Sequence, residues 1–199
     1  MTYAATRLTS ADAAYPYASA PHNSSDEQLI ERIADGDQLA MRTLYARHHM
    51  PVFRFVLRMV RDRTTAEDIL SDVFLDVWRQ APDFEGRAAV STWLLAIARY
   101  KSLSSLRRRQ DVELDDNVAA AIPDPADNPE VVLQKKNRAE LLRRALNQLP
   151  AAQAEVIDLV YYHDKSIAEV SHIAHIPEAT VKTRMFYARR KLAELVKAA

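Results

Sequence analysis

An all-α chain is the fold class this sequence predicts: two small helical domains joined by an acidic flexible linker, the C-terminal one a helix-turn-helix. Three observations predict it. Only two glycines and nine prolines occur in 199 residues, and the abundance of Ala, Leu and Arg favours helix over strand. Apolar residues recur at helical spacing in the blocks on either side of a proline-rich acidic segment. Finally, charge is segregated along a chain whose formal net charge is zero. Residues 81–110 carry six bases and two acids, residues 111–130 carry seven acids and no base, and residues 131–199 carry twelve bases and seven acids. Two basic regions flanking an acidic strip predict two nucleic-acid contacts, because neutralising phosphates is what gathers Lys and Arg. The neutral total argues against a protein that coats DNA unaided.

These patterns divide the chain into a disordered tail (1–24), an N-terminal domain (25–110), the linker (111–130) and a C-terminal domain (131–199). The tail is rich in Ala, Ser, Tyr and Pro and has no helical period. Leu29, Ile30 and Ile33 begin the first domain, and Gly36-Asp37 ends one short helix and starts the next. Leu44, Tyr45, Phe53, Phe55, Val56, Leu57, Met59 and Val60 supply a core, with Pro51 marking a kink or a restart. The run from Thr64 to Asp68 signals another helix N-terminus. That helix places Ile69, Leu70, Val73, Phe74, Val77 and Trp78 on one side. Beside them Glu67, Asp68, Asp72 and Asp76 form an acidic stripe, in which like charges repel by a few tenths of a kcal/mol per pair. A partner supplying cations would relieve that repulsion.

A loop from Pro82 to Arg87 leads into a basic helix. Trp93, Leu94, Ile97, Leu103 and Leu106 face inward, while Arg99, Lys101, Arg107, Arg108 and Arg109 are expected to reach outward. Cations that track a backbone and rings that stack on unpaired bases suit single-stranded DNA. Phe84, in the loop, is the better stacking candidate; Trp93 reads as core. Pro123, Pro125 and Pro129 deny the linker regular structure, and its acids keep it extended.

In the C-terminal block, helices are expected over Val131 to Asn147 and Ala151 to Tyr162. Ser166 and Glu169 then stand in capping-box spacing, and Ile167, Val170, Ile173 and Ala174 form an apolar face. Pro177 suits the first turn of the next helix. There Val181, Met185, Ala188, Leu192 and Leu195 make one buried stripe. The remaining surface carries Thr180, Lys182, Thr183, Arg184, Tyr187, Arg189, Arg190 and Lys191, a recognition helix built to meet a polyanion. His175 stands at the turn that often needs a left-handed backbone, where a non-glycine residue costs about 1 kcal/mol.

Together these segments resemble the two-domain, extracytoplasmic-function group of bacterial RNA polymerase sigma factors. The resemblance spans about Asp26–Arg109 and Glu140–Val196. It is carried by Asp35 to Asp37, Thr65 to Trp78, Phe84 to Arg87, Trp93 to Arg99, Leu149 to Ile157 and Ile176 to Arg184. It implies that Glu67, Asp68, Asp72 and Asp76 dock on the large-subunit clamp helices of core RNA polymerase, with the flap as a further contact. It implies that Phe84, Arg87, Arg99, Tyr100, Lys101 and Arg107 meet the minus-10 element as melted DNA, a flipped base being held by the loop. The linker would thread toward the active-site and RNA-exit channel. Thr180, Lys182, Thr183 and Arg184 would read the minus-35 element of promoter DNA together with Tyr187, and Arg189 and Arg190 would contact phosphates. An anti-sigma factor is the expected regulator. Three positions depart from the common pattern: Tyr100 replaces an asparagine, Phe186 and Tyr187 replace a histidine and an arginine, and His175 replaces the turn glycine. Each shifts the expected promoter preference.

Other classes explain less. A stand-alone duplex-binding regulator leaves the acidic stripe, the second basic helix and the linker unexplained. A metal-dependent enzyme or sensor would rest on His163, Asp164, His172 and His175, with His48 and His49 upstream, at spacing too generic for a ligand set. Surface exposure is the expectation for His163, His172 and His175. No activated nucleophile or glycine-rich phosphate loop is visible, so no enzyme, cofactor or metal is expected. The absence of cysteine excludes disulfides and thiolate zinc sites. No apolar run approaches a membrane span and the N-terminus lacks a hydrophobic signal core, so membrane insertion is not expected and a cytoplasmic location is.

Overall fold

The computed structural model describes residues 24–112 and 144–197, the side chains of 110–112 excepted. The expected tail apart from Ser24, the linker beyond Val112 and most of the expected helix over 131–147 lie outside the described residues; the last turn of that helix, 144–147, is helical. Among the described residues there is no strand. The helices are α1 (Asp26–Ala34), α2 (Gln38–Val60), α3 (Arg63–Gln80), α4 (Val90–Val112), α5 (Ala151–Tyr161), α6 (Ile167–Ala174) and α7 (Glu178–Lys197). A single 3-10 turn, Ala81–Asp83, follows α3.

Local chemistry sets the boundaries. Ser25 and Gln28 form a reciprocal capping box at the start of α1. Gly36 adopts φ 85°, and the Gly36 and Asp37 N–H groups close the end of α1 onto the carbonyls of Ile33 and Arg32. Asp37 then caps α2, accepting from the N–H groups of Leu39 and Ala40. The Arg32 guanidinium, 2.6 Å away, and these N–H groups hold the Asp37 carboxyl below its ordinary range. Pro51 lies inside α2, which does not restart there. α3 begins earlier than the sequence pattern implied. Asp62, rather than Thr64 or Thr65, is its cap, and it accepts from the Thr65 N–H at 2.7 Å.

In the N-terminal domain α1 to α4 enclose Leu29, Ile30, Ile33, Leu44, Phe55, Val56, Val73, Val77 and Leu94, each at most 2% exposed. In the C-terminal domain α6 and α7 form the helix-turn-helix. Ser166 and Glu169 complete the predicted capping box, and His175 takes the left-handed conformation at φ 51°, ψ 45°.

The two domains pack against each other. Val156 and Leu159 of α5, Val170 and Ile173 of α6, and Val181 and Met185 of α7 belong to the same buried apolar cluster as the N-terminal core. Phe55 of α2 meets the His163 ring edge-on, with centroids 5.6 Å apart. This contact is what positions the candidate surfaces.

Candidate nucleic-acid interface

Burial divides α7 into two sides. Val181, Met185 and Ala188 are buried and Leu192 and Leu195 half-buried, as the stripe predicts. Lys182, Thr183, Tyr187, Arg189 and Arg190 are exposed, with Thr180 and Arg184 half-buried at the edge. At helical spacing Thr180, Thr183, Arg184 and Tyr187 share one face. Lys182 lies 3.7 Å from Glu178 and Arg190 3.2 Å from Glu194. Exposed pairs of this kind contribute about 0.3–0.5 kcal/mol, so a phosphate exchanges with them readily. Phe186 and Tyr187 are 62% and 52% exposed and stack edge-on, an apolar addition to a cationic surface. The Arg189 guanidinium lies 5.8 Å from the Tyr161 ring.

The second basic surface is less open than its sequence implies. Tyr100 is 69% exposed, Arg107 and Arg87 are exposed, and Arg87 pairs with its neighbour Glu85. Phe84 is half-buried, its ring 4.8 Å from that of Trp93, so the loop aromatic is anchored on the helix that follows it. Arg99 and Lys101 do not reach outward. The Arg99 side chain is 16% exposed and pairs with Glu155 of α5, because the C-terminal domain covers that side of α4. Lys101 forms an ion pair with Asp76 of α3 at 2.8 Å. Arg109 donates to the Thr65 hydroxyl at 2.8 Å and lies 3.3 Å from Asp62.

The acidic stripe is likewise partly neutralised. Glu67 pairs with Arg63 one turn away and Asp76 with Lys101, while Asp68 and Asp72 are exposed and enter no ion pair among the described residues. Next to them an open groove between α2 and α3 is lined by Met41, Tyr45, Phe74, Leu75 and Trp78. Leu75 is 51% exposed. An apolar centre beside unpaired carboxylates is the composition of a protein-docking face rather than of a solvated one.

His163 departs most from expectation. His172 and His175 are exposed, with rings 6.2 Å apart, and His48 meets Asp26 at 2.6 Å. Among the described residues no cluster of three or more potential ligands could hold a metal. The His163 side chain is only 6% exposed. Burial, then the positive charges of Arg58 and Lys165, push its pKa down to about 4 against a weaker opposing pull from Asp164. Nε2 lies 3.4 Å from Asp158 Oδ2, close enough for an ion pair but outside hydrogen-bonding geometry, so both buried atoms lack a hydrogen-bond partner. A histidine this depressed is neutral at pH 7, and the contact is not a salt bridge there.

Sequence reasoning missed the contacts that join the domains. Besides Arg99–Glu155, Arg58 of α2 pairs with Asp158 of α5 and lies 4.0 Å over the Tyr162 ring. Lys165 donates to Ser91 Oγ at 2.6 Å, and the Thr92 hydroxyl donates to Glu169 Oε1 at 2.6 Å. Partial burial pushes the Glu169 carboxyl up. The hydrogen bonds from Thr92 and Ser166 and the charge of Lys165 outweigh this and hold it at about 2. One signal was present: Glu155 and Asp158 are the only acids in the apolar helix α5, one turn apart. Carboxylates placed so ask for cations, though not for particular ones.

A four-helix domain with a basic final helix, a second domain ending in a helix-turn-helix with an open cationic face, and an acidic strip between them define a two-domain DNA-reading transcription factor. Residues 44–112 match the sigma-70 region 2 family and residues 139–192 the sigma-70 region 4 family. The sigma factor SigM of Mycobacterium tuberculosis is 32% identical over 179 residues, covering 88% of this chain and 86% of its own. SigK of Mycobacterium bovis is 31% identical over 178 residues, covering 86% and 94%. Among solved structures, RpoE of Bartonella quintana, in complex with the anti-sigma factor NepR, is similar with a TM-score of 0.66 at 25% identity, over 78% of this chain and 96% of that one. CnrH in complex with the cytosolic domain of CnrY shares the fold, with a TM-score of 0.64 over 88% and 99% of the two chains at 24% identity. The chain belongs to the extracytoplasmic-function group of RNA polymerase sigma factors, initiation factors that direct polymerase to promoters. No helix among the described residues is long and apolar enough to cross a membrane.

Proposed function

We propose that this sigma factor binds core RNA polymerase through α3 and reads two promoter elements, one with each domain. Its place of action is then the cytoplasm, and the chemistry of RNA synthesis remains the polymerase's. The reading rests on one observation above all: α7 keeps Thr183, Tyr187, Lys182, Arg189 and Arg190 exposed while Val181, Met185 and Ala188 seat it in the domain. Such a helix can enter a major groove without unpacking. Thr180, Lys182, Thr183, Arg184 and Tyr187 are assigned to base edges of the minus-35 element, and Arg189 and Arg190 to phosphates.

For the minus-10 element, Phe84, Arg87, Tyr100 and Arg107 are assigned to the melted strand, joined by Arg99 and Lys101 once their internal partners let go. On α3, Asp68 and Asp72 beside Leu75 and the apolar groove form the heart of the polymerase contact, with Glu67 and Asp76 at its ends. Similarity to RpoE of Bartonella quintana, solved with the anti-sigma factor NepR, supports control of this chain by an anti-sigma factor.

In vitro transcription with purified core polymerase on a promoter library tests the reading. Protein-dependent RNA starts that share two spaced upstream elements are expected. Binding to duplex DNA without any protein-dependent start would replace it with a stand-alone regulator. Arg184→Ala is expected to weaken upstream-element binding by about 1–3 kcal/mol, the discrimination lost with a bidentate base contact. Equal affinity of variant and wild type in a fluorescence anisotropy titration would remove Arg184 from the reading set.

A further inference from the structure

The Arg99–Glu155 pair sets the assigned minus-10 surface against the chain's own C-terminal domain. Tyr100, next to it on α4, is 69% exposed, whereas Arg99 is 16% exposed and Glu155 10%. Three further polar contacts join the domains: Arg58 with Asp158, Lys165 with Ser91, and Thr92 with Glu169. Beneath it lies continuous apolar packing, with Phe55 against His163 and Val156, Leu159, Val170 and Ile173 in one cluster with the N-terminal core. The recognition face of α7 is outside this contact and stays open. Closure therefore affects the two DNA-reading surfaces unequally.

Size shows why closure matters. Two promoter elements about 25 base pairs apart are separated by about 85 Å of B-form duplex, at roughly 3.4 Å per base pair. A compact body of the roughly 140 described residues has a radius of gyration of about 14–15 Å and a diameter of about 40 Å. A closed chain cannot touch both elements. Residues 113–143 are long enough in sequence to reach about 100 Å if fully extended, so the covalent connection permits the domains to part. What opposes parting is the contact itself.

We propose that Glu155 and Asp158 act as an internal latch, in which Glu155 occupies Arg99 in place of a nucleic-acid phosphate and Asp158, one turn along α5, holds Arg58 of α2. The closed chain retains upstream duplex reading but binds the downstream strand more weakly. The inference rests on the promoter reading above for its DNA arm and on geometry alone for the latch. A carboxylate and a phosphate compete for the same guanidinium fork. Strand binding at α4 and release of α5 are thus two descriptions of one exchange. The Thr92–Glu169 and Lys165–Ser91 hydrogen bonds set the angle at which the domains close.

The chain has no cysteine, so two dyes can be attached without background through Thr64→Cys on α3 and Ala193→Cys on α7, both exposed positions. Energy transfer in the full-length labelled protein should show one short-distance population. Glu155→Gln should move a large fraction to longer, broader distances, and Glu155→Gln with Asp158→Asn should move most of it. The exchange Arg99→Glu with Glu155→Arg should restore closure, which a merely destabilised fold would not do. Binding of a fluorescent 12-nucleotide single-stranded pool should tighten about tenfold in Glu155→Gln, because apparent affinity scales with the open fraction. Binding of a duplex carrying the upstream element should stay within about twofold. An open wild-type chain, or a double variant that remains closed with native circular dichroism, overturns the latch. A variant that opens without tighter strand binding overturns the competition with DNA, and that failure belongs to the promoter reading of α4 rather than to the latch.

Discussion

Replacing Phe55 by alanine is expected to destabilise the chain by about 3–5 kcal/mol, the range for removing a fully buried aromatic ring and leaving a cavity. Phe55 is 1% exposed and sits in α2 among Val52, Val56 and the other buried residues of the shared cluster. Its ring also meets His163 at 89°, so the cavity would open under both domains. Urea titration followed by far-ultraviolet circular dichroism would measure it. A lowered midpoint with helix signal lost from the whole chain in one transition is the expected result. Phe55→Leu, which keeps most of the volume, should cost less than about 1.5 kcal/mol. A Phe55→Ala shift below about 1 kcal/mol would mean that the ring is not buried in solution.

The second large effect is acid sensitivity. His163 has an ordinary pKa of 6.5 in the unfolded chain and one of about 4 in the fold. Below pH 6.5 the unfolded state takes up a proton that the folded state refuses, so stability falls as pH falls from about 6.5 to about 4 and is unaffected above that window. The difference is on the order of 3 kcal/mol at 1.36 kcal/mol per pH unit. Four charged groups face or flank the ring: Arg58 from α2, Asp158 from α5, and Asp164 and Lys165 beside it in the chain. Glu169 adds to the loss lower down. Its carboxyl is held at about 2 against an ordinary 4.5, so the stability it contributes is present above pH 4.5 and disappears as pH falls toward 2. His163→Leu should flatten the urea midpoint between pH 6.5 and 4 while leaving the decline below 4.5 that belongs to carboxylates. A His163→Leu curve as steep as wild type between 6.5 and 5 would assign the sensitivity elsewhere.

Both effects lie where the domains meet, the part of the protein that sequence reasoning did not reach. Among the described residues, most helices and their ends could be read locally. The capping box of Ser166 and Glu169, the Gly36-Asp37 junction and the left-handed His175 depend on residues within a turn or two of one another. The misplaced start of α3 has the same scale: Asp62 outcompetes Thr64 and Thr65 because its carboxylate accepts from the Thr65 N–H. The recognition helix was legible for a related reason. A stripe at Val181, Met185 and Ala188 dictates which residues of α7 remain outside, whatever else the chain does.

The α4 surface was read less well by the same method. Helical periodicity says which way Arg99 and Lys101 leave their own helix, and nothing about what lies above them. Arg99 meets a residue 56 positions away, Thr92 one 77 away and Arg58 one 100 away. A mainly apolar helix carrying Glu155 and Asp158 announces a need for cations and leaves their identity open. The sequence by itself determined the helices, their caps, the helix-turn-helix and its cationic face, because these arise from interactions within a few residues. Only the tertiary structure decided that His163 is buried and neutral, that Lys101 answers Asp76, and that Arg99 and Arg58 are held by carboxylates of the other domain. Those outcomes depend on how two separately encoded surfaces dock, and docking is a property of shape and desolvation summed over both.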